Sequence, residues 1–162
     1  MRPLTAVALL ALFLASLAGC GGGDGDGIPA TVWLEEADAV CRANEVAAAP
    51  DRARIEGLVR TGIRTPEERA AAVSVLHRSL SRLELEIAKL RELEPPAGEE
   101  AATAAAIVGG LAEKRIIGEE LIQALESGSD PDEERVVRKL FANEVDTERL
   151  SRRIGLRVCG HI

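Results

Sequence analysis

The segment that most restricts the fold is residues 65–96, because it contains a complete set of helix signals. It opens with Thr-Pro-Glu-Glu at 65–68, an order typical of a helix N-terminus with a capping threonine and a third-position glutamate. Pro-Pro at 95–96 should end the helix, since the residue before a proline avoids helical angles. Between these signals, apolar residues recur every three or four positions and predict one amphipathic helix: Val73, Leu76, Leu80, Leu83, Ile87 and Leu90.

Three other segments show the same helical period. The first helix is predicted over about 31–48 and should end at Pro50, while the third is predicted over about 98–126. The fourth should begin at Asp130, where Asp-Pro-Asp-Glu repeats the capping pattern, and end at Gly155. Four amphipathic helices with short loops predict an all-α, antiparallel up-down four-helix bundle.

Two further features bear on packing inside this bundle. Gly109–Gly110 interrupts the third helix, which indicates either the close approach of a neighbouring helix or a bend, and close approach is favoured. The inward stripe of the fourth helix is predicted from its spacing: Val136, Val137, Leu140, Phe141, Glu144, Thr147, Leu150 and Ile154.

The amino terminus has the pattern of an export signal. Arg2 precedes the apolar run 4–14, which is shorter than the roughly 20 residues that a membrane span needs. The sequence Leu-Ala-Gly-Cys at 17–20 follows, and it resembles the lipobox of bacterial lipoprotein signal peptides. The resemblance implies that residues 1–19 are removed and that Cys20 carries lipid. The alternative is an ordinary secreted protein in which Cys20 is incidental or joins a disulfide.

The lipoprotein interpretation also predicts the domain organisation. Residues 20–29 are rich in glycine and aspartate, a composition typical of a flexible tether, and residues 30–162 form the helical domain. Buried acyl chains contribute about 0.8 kcal/mol per methylene, so lipid on Cys20 would hold the chain to a bilayer. The expected location is the extracytoplasmic face of the cell membrane.

The chain has three cysteines. If Cys20 carries lipid, Cys41 and Cys159 remain, and an exported protein meets an oxidising environment, so we predict a disulfide between them. It would close a loop of 118 residues, which the chain-entropy model values at about 5 kcal/mol. In an up-down bundle the first and last helices are neighbours, which suits this pairing. The alternatives are free thiols or a thiolate metal site, and the latter lacks both ligand spacing and nearby histidines.

Composition narrows the possible functions. The net charge of −7 argues against binding to nucleic acid and against electrostatic adhesion to anionic headgroups. The two histidines, His77 and His161, belong to no metal or haem motif, and no serine lies in a nucleophile elbow. We therefore expect no metal, no cofactor and no catalysis. The rival interpretation is an envelope hydrolase with a serine or a carboxylate pair beside His77.

Three polar residues lie on or near the predicted apolar stripes, namely Asn44, Arg115 and Glu144. The favoured interpretation places them at stripe edges, with Arg115 reaching water. Alternatively, Arg115 and Glu144 form an internal salt bridge. If the three side chains converged on a cavity, they would be the candidate groups that orient a ligand.

Three short segments suggest a family: EADAVCRAN at 36–44, LRELEPPAG at 90–98 and RIGLRVCG at 153–160. They are similar to a group of small actinobacterial lipoproteins. The resemblance implies a helical, disulfide-bonded extracytoplasmic domain and brings no activity with it. The sequence thus predicts a binding or interaction module for an envelope protein, or alternatively a binder of a small ligand inside the bundle.

Overall fold

The computed structural model describes residues 27–61, 63 and 65–159, and within them the chain forms four α-helices and no strand. The all-α four-helix prediction is therefore confirmed. Residues 1–26, which include the predicted signal peptide, Cys20 and most of the predicted tether, lie outside the described residues, as does His161. The helices, numbered in chain order, are α1 (Ala30–Thr61), α2 (Pro66–Glu92), α3 (Glu100–Ser127) and α4 (Asp130–Ile154).

Helix α1 continues through Pro50, so the prediction that Pro50 ends it is wrong. A proline inside a helix removes one N–H donor and crowds the carbonyl of the preceding turn, at a cost of about 3 kcal/mol. Here the next residue offsets that cost. Asp51 is 6 % exposed, and its carboxylate accepts hydrogen bonds from Arg78 (2.8 Å) and from Arg82, both on α2. The helix therefore continues because its second half is fastened to α2.

The start of α2 follows its sequence signals, and α4 begins at Asp130 as predicted, but the capping residue of α4 is one position earlier than expected. Thr65 Oγ1 accepts a hydrogen bond from the Glu68 N–H (3.2 Å), and the Glu68 carboxylate accepts one from the Thr65 N–H (2.9 Å). At α4 the N-cap is Ser129 rather than the predicted Asp130. Gly128 ends α3 in the left-handed region (φ 68°), so little chain remains before the next helix must begin.

The end of α4 is the one that the sequence predicts. Gly155 has φ 91°, a value that favours glycine, and its N–H donates to the carbonyl of Ser151 (3.1 Å). The N–H of Leu156 donates to the same carbonyl (2.9 Å), and the Leu156 side chain is 3 % exposed. The chain therefore turns back toward the core directly after α4.

The apolar core is densest near the end of the bundle where α1 begins and α4 ends. It includes Trp33, Ala37, Cys41, Leu83, Ile87, Leu90, Ala104, Ile107, Leu111, Leu156 and Cys159. Of the six apolar residues that define the predicted face of α2, the last three are buried and the first three, in the first half of the helix, are half-buried. In that first half the buried residues are instead Ala72 and Val75. Phe141 is 63 % exposed, so its placement on the inward stripe of α4 is wrong.

Close backbone packing joins each helix to the next one, α1 to α2, α2 to α3 and α3 to α4, while other pairs of the described helices meet weakly or not at all. Lys139 of α4 contacts Glu120 of α3, and the later Asn143 contacts the earlier Gly110. Because a later residue of α4 contacts an earlier residue of α3, these contacts fit the predicted antiparallel arrangement. The tail after α4, rather than a long α1–α4 contact, makes the main connection between the first helix and the last.

Candidate functional site

The most unusual feature of the interior is a group of four polar side chains, one from each helix. Asn44 of α1 donates a hydrogen bond from Nδ2 to Oε2 of Glu86 on α2. Nζ of Lys114 on α3 lies 3.4 Å from Oε1 of Glu144 on α4. The charge of Lys114 also acts on Glu86, which joins the two pairs electrostatically. We call these four residues the polar network.

Burial distinguishes Glu86 from the other charged members of the polar network. Glu86 is only 7 % exposed, whereas the side chains of Lys114 and Glu144 are 25 % and 22 % exposed. On α2 it stands between Leu83 and Leu90, three residues after the first and four before the second, which is core spacing. The fold therefore places a carboxyl group where an apolar side chain would ordinarily lie.

This placement shifts the pKa values of two groups, Glu86 and Lys114. Burial raises the pKa of Glu86 from 4.5 to about 7, although the hydrogen bond from Asn44 and the charge of Lys114 both act to lower it. Burial also lowers the pKa of Lys114, against the opposing effect of Glu144. The carboxyl group of Glu86 is therefore expected to ionise near neutral pH.

The structure brings together two of the three polar residues that the sequence singled out. Asn44 and Glu144 both belong to the polar network, whereas Arg115 does not. The side chain of Arg115 is half-buried, and its Nη1 is 2.5 Å from Oε1 of Glu119 one turn later on α3. The predicted Arg115–Glu144 pair does not form, because Lys114 is the residue that faces Glu144. One position along a helix is a rotation of about 100°.

The disulfide end of the bundle carries a second set of polar contacts. Cys41 and Cys159 are bonded, with their Cα atoms 5.2 Å apart, so the predicted disulfide is confirmed. One turn before Cys41, the Asp38 carboxylate accepts hydrogen bonds from the backbone N–H of Arg157 (3.0 Å) and of Val158 (3.0 Å). The tail is thus tied to α1 by a covalent bond and by a carboxylate.

A shallow groove of about 700 Å³ lies on the outer side of α2 beside the end of α3. Its lining includes Val73, Ser74, His77 and Leu125, and neither Asn44 nor Glu144 belongs to it. Ser74 Oγ accepts a hydrogen bond from Arg78 (3.0 Å), and Ser81 Oγ donates to the carbonyl of His77 (3.0 Å). In the described part of the chain, no serine and no carboxylate is hydrogen-bonded to the imidazole, so the groove holds no assembled nucleophile and base.

Among residues 27–61, 63 and 65–159, no group of three His, Cys, Asp or Glu side chains could hold a metal ion. None of the helices described is both long enough and apolar enough to cross a membrane. Comparisons with protein-family models, with curated proteins and with solved structures returned no match.

Proposed function

We propose that this chain is a lipid-anchored, extracytoplasmic helical bundle that serves as a non-catalytic binding or interaction module of the cell envelope. The observation that carries the proposal is the Cys41–Cys159 disulfide, which leaves Cys20 as the one cysteine available for a lipid. A disulfide is typical of proteins that fold outside the reducing cytoplasm. It therefore supports the export that the lipobox resemblance implies.

The path of the chain before α1 supports a definite orientation of the bundle. The N–H of Ile28 donates to the carbonyl of Pro95 (3.1 Å), and the N–H of Ala97 donates to the carbonyl of Ile28 (2.9 Å). A Cβ added at Gly27 would lie 2.5 Å from the Pro95 carbonyl oxygen, so a glycine permits this close approach. Residues 27–29, which the sequence assigned to the tether, are thus held against the loop between α2 and α3.

Chain geometry then limits how far the bundle can stand from its anchor. Seven Cα-to-Cα steps lead from Cys20, the first residue of the proposed mature chain, to Gly27. Fully extended, they reach about 25 Å. The disulfide end would therefore face the membrane. The opposite end, where Arg69 of α2 bridges Asp130 and Glu133 of α4, would be presented to partners.

The test is the mass and location of the full-length protein expressed in a bacterium that processes lipoproteins. We expect a membrane-bound species that begins at Cys20, carries acyl chains and lacks two hydrogens because of the disulfide. Cys20→Ala should prevent acylation, and the matched control Ser16→Ala should not. A wild-type protein released without acyl groups would contradict the proposal.

A second candidate function, binding of a small ligand inside the bundle, is favoured by the polar network. Asn44 and Glu144 lie on α1 and α4, two helices without extensive backbone packing between them, and both reach the same interior group of charges. Native mass spectrometry in mild detergent tests this candidate. A non-covalent adduct should be lost in Glu144→Gln and kept in Arg115→Ala, because Arg115 pairs with Glu119 and not with a member of the network. An adduct that both variants keep would place the ligand elsewhere.

A further inference from the structure

The charges enclosed by the polar network do not balance. It contains two carboxyl groups, Glu86 and Glu144, and a single ammonium group, Lys114. Arg52 of α1 is the other cation whose charge reaches Lys114, and it lies 3.8 Å from a carboxylate of its own, Glu45. An uncompensated charge in a protein interior is costly. One further positive charge is therefore needed when both carboxyl groups are ionised.

Geometry indicates which carboxyl group is left without a cation. Lys114 is in ion-pair contact with Glu144, whereas the hydrogen-bonding partner of Glu86 is the neutral amide of Asn44. Glu86 is also the more deeply buried of the two carboxyl groups. A proton is small enough to neutralise it without any cavity. The raised pKa of Glu86, about 7, agrees with this choice.

We propose that the polar network is a proton-operated latch: the helices pack most stably around a neutral Glu86, and ionisation loosens that packing because the cost of a buried charge exceeds the gain in the Asn44 hydrogen bond. When Glu86 is ionised, its charge must be solvated by water or paired with a cation, and α1 is the helix that packs closely against one neighbour with the smallest set of backbone contacts. The amides of α1 around Cys41–Ala48 should then open more often. The latch deepens the small-ligand proposal by giving that site a regulator, but it requires neither a ligand nor lipid on Cys20.

The direction of the pH dependence follows from the two protonation states. Between 4.5, the ordinary pKa of a glutamate, and about 7, the folded protein binds more protons at Glu86 than the unfolded chain does. The contribution of Glu86 to stability is therefore greatest below that range, falls as the pH rises through it, and levels off above it. Between about pH 5 and pH 8 the unfolding equilibrium constant should increase on the order of 50-fold.

Urea unfolding of the full-length protein in detergent, at several pH values, tests the latch. The wild type and the control Glu84→Gln, an exposed glutamate on the same helix, should both lose stability over this range. Glu86→Gln should remove the loss. Glu144→Gln should shift it to lower pH, because Lys114 is then free to neutralise Glu86. A merely structural role for Glu144 would lower stability without moving the pH profile.

Two outcomes would overturn the proposal. One is a Glu86→Gln variant that keeps the pH dependence of the wild type. The other is a carboxyl carbon NMR titration of the wild type in which Glu86 ionises near 4.5, a measurement that needs no variant to fold. Either outcome can occur whether or not Cys20 is acylated, so failure of the latch is distinguishable from failure of the proposed anchor.

Discussion

The carboxylate of Asp38 accepts a hydrogen bond from the backbone N–H of Arg157, 119 residues later in the chain (3.0 Å). The neighbouring N–H of Val158 shares the same carboxylate, and Cys159 follows directly in the disulfide with Cys41. These contacts join the first helix to the tail in a bundle whose α1 and α4 lack extensive backbone packing. Closure of the fold thus depends on a few polar and covalent contacts at one end.

Removing the carboxylate should therefore weaken this end of the bundle. Asp38→Ala leaves two backbone N–H groups without their charged acceptor, and hydrogen bonds to charged groups contribute about 1.5–3 kcal/mol each. We expect a loss of about 2–3 kcal/mol in the free energy of unfolding, measured with urea under oxidising conditions. Glu35→Ala, an exposed acid on the same helix, should change it little. Equal hydrogen exchange at Arg157 and Val158 in wild type and Asp38→Ala would contradict this role.

Reduction of the disulfide should be costly because the loop it closes is long. The loop spans 118 residues, for which the chain-entropy model gives about 5 kcal/mol. We expect reductant to lower the urea midpoint of the wild type strongly. The Cys41→Ser, Cys159→Ser double variant should begin near the reduced wild type and should not respond to reductant. Identical midpoints for the oxidised and reduced wild type would show that the tail is held by Asp38 and packing alone.

Asp51 should make the protein sensitive to strong acid. Hydrogen bonds from Arg78 and then Arg82 lower the pKa of its carboxyl group from 3.8 to about 2. A lowered folded pKa contributes stability that is fully present above 3.8 and disappears as the pH falls through 2. The melting temperature of the wild type should therefore drop between about pH 4 and pH 2.

The variant Asp51→Asn isolates that effect. It should melt at a lower temperature than the wild type near neutral pH, and the difference should shrink as the pH approaches 2. The matched control is Asp146→Asn, which alters an exposed acid of α4 that pairs with Arg149 three residues later. This variant should follow the wild type. A constant difference between Asp51→Asn and the wild type across this range would exclude ionisation of Asp51 as the cause.

Local signals explain why much of the helical pattern could be predicted. The Thr65–Glu68 capping box and Gly155 depend on contacts within a few residues, so the sequence contains nearly all the information that they need. Pro50 shows the opposite case. Its local effect is to end a helix, but Asp51 next to it binds two arginines about 30 residues away. That tertiary contact has no local signature.

Only two of the four residues of the polar network could be predicted from the sequence, for a related reason. Asn44 and Glu144 interrupt apolar stripes, which marks them, but Glu86 precedes Ile87 and looks like an ordinary polar neighbour of a core residue. Its spacing of three from Leu83 and four from Leu90 is the signal that could have identified it. Lys114 and Arg115 are adjacent, and a small error in helix phase was enough to select the wrong cation.

The adjacent glycines of α3, Gly109 and Gly110, provide a final test in which each substitution serves as the control for the other. A Cβ added at Gly109 would meet nothing within 4 Å, so Gly109→Ala should stabilise the helix by about 0.5–1 kcal/mol through helix propensity alone. A Cβ added at Gly110 would overlap Oγ1 of Thr147, a buried residue of α4. Gly110→Ala should therefore destabilise the protein by about 1–3 kcal/mol, since a packed interface yields poorly to an added methyl group.

A second substitution at Thr147 tests whether this overlap is the cause. Thr147→Ser in the Gly110→Ala background would keep the overlapping oxygen, so only Thr147→Ala should rescue stability. Equal effects of the two glycine substitutions in urea unfolding would mean that α3 and α4 are not in close contact at Gly110.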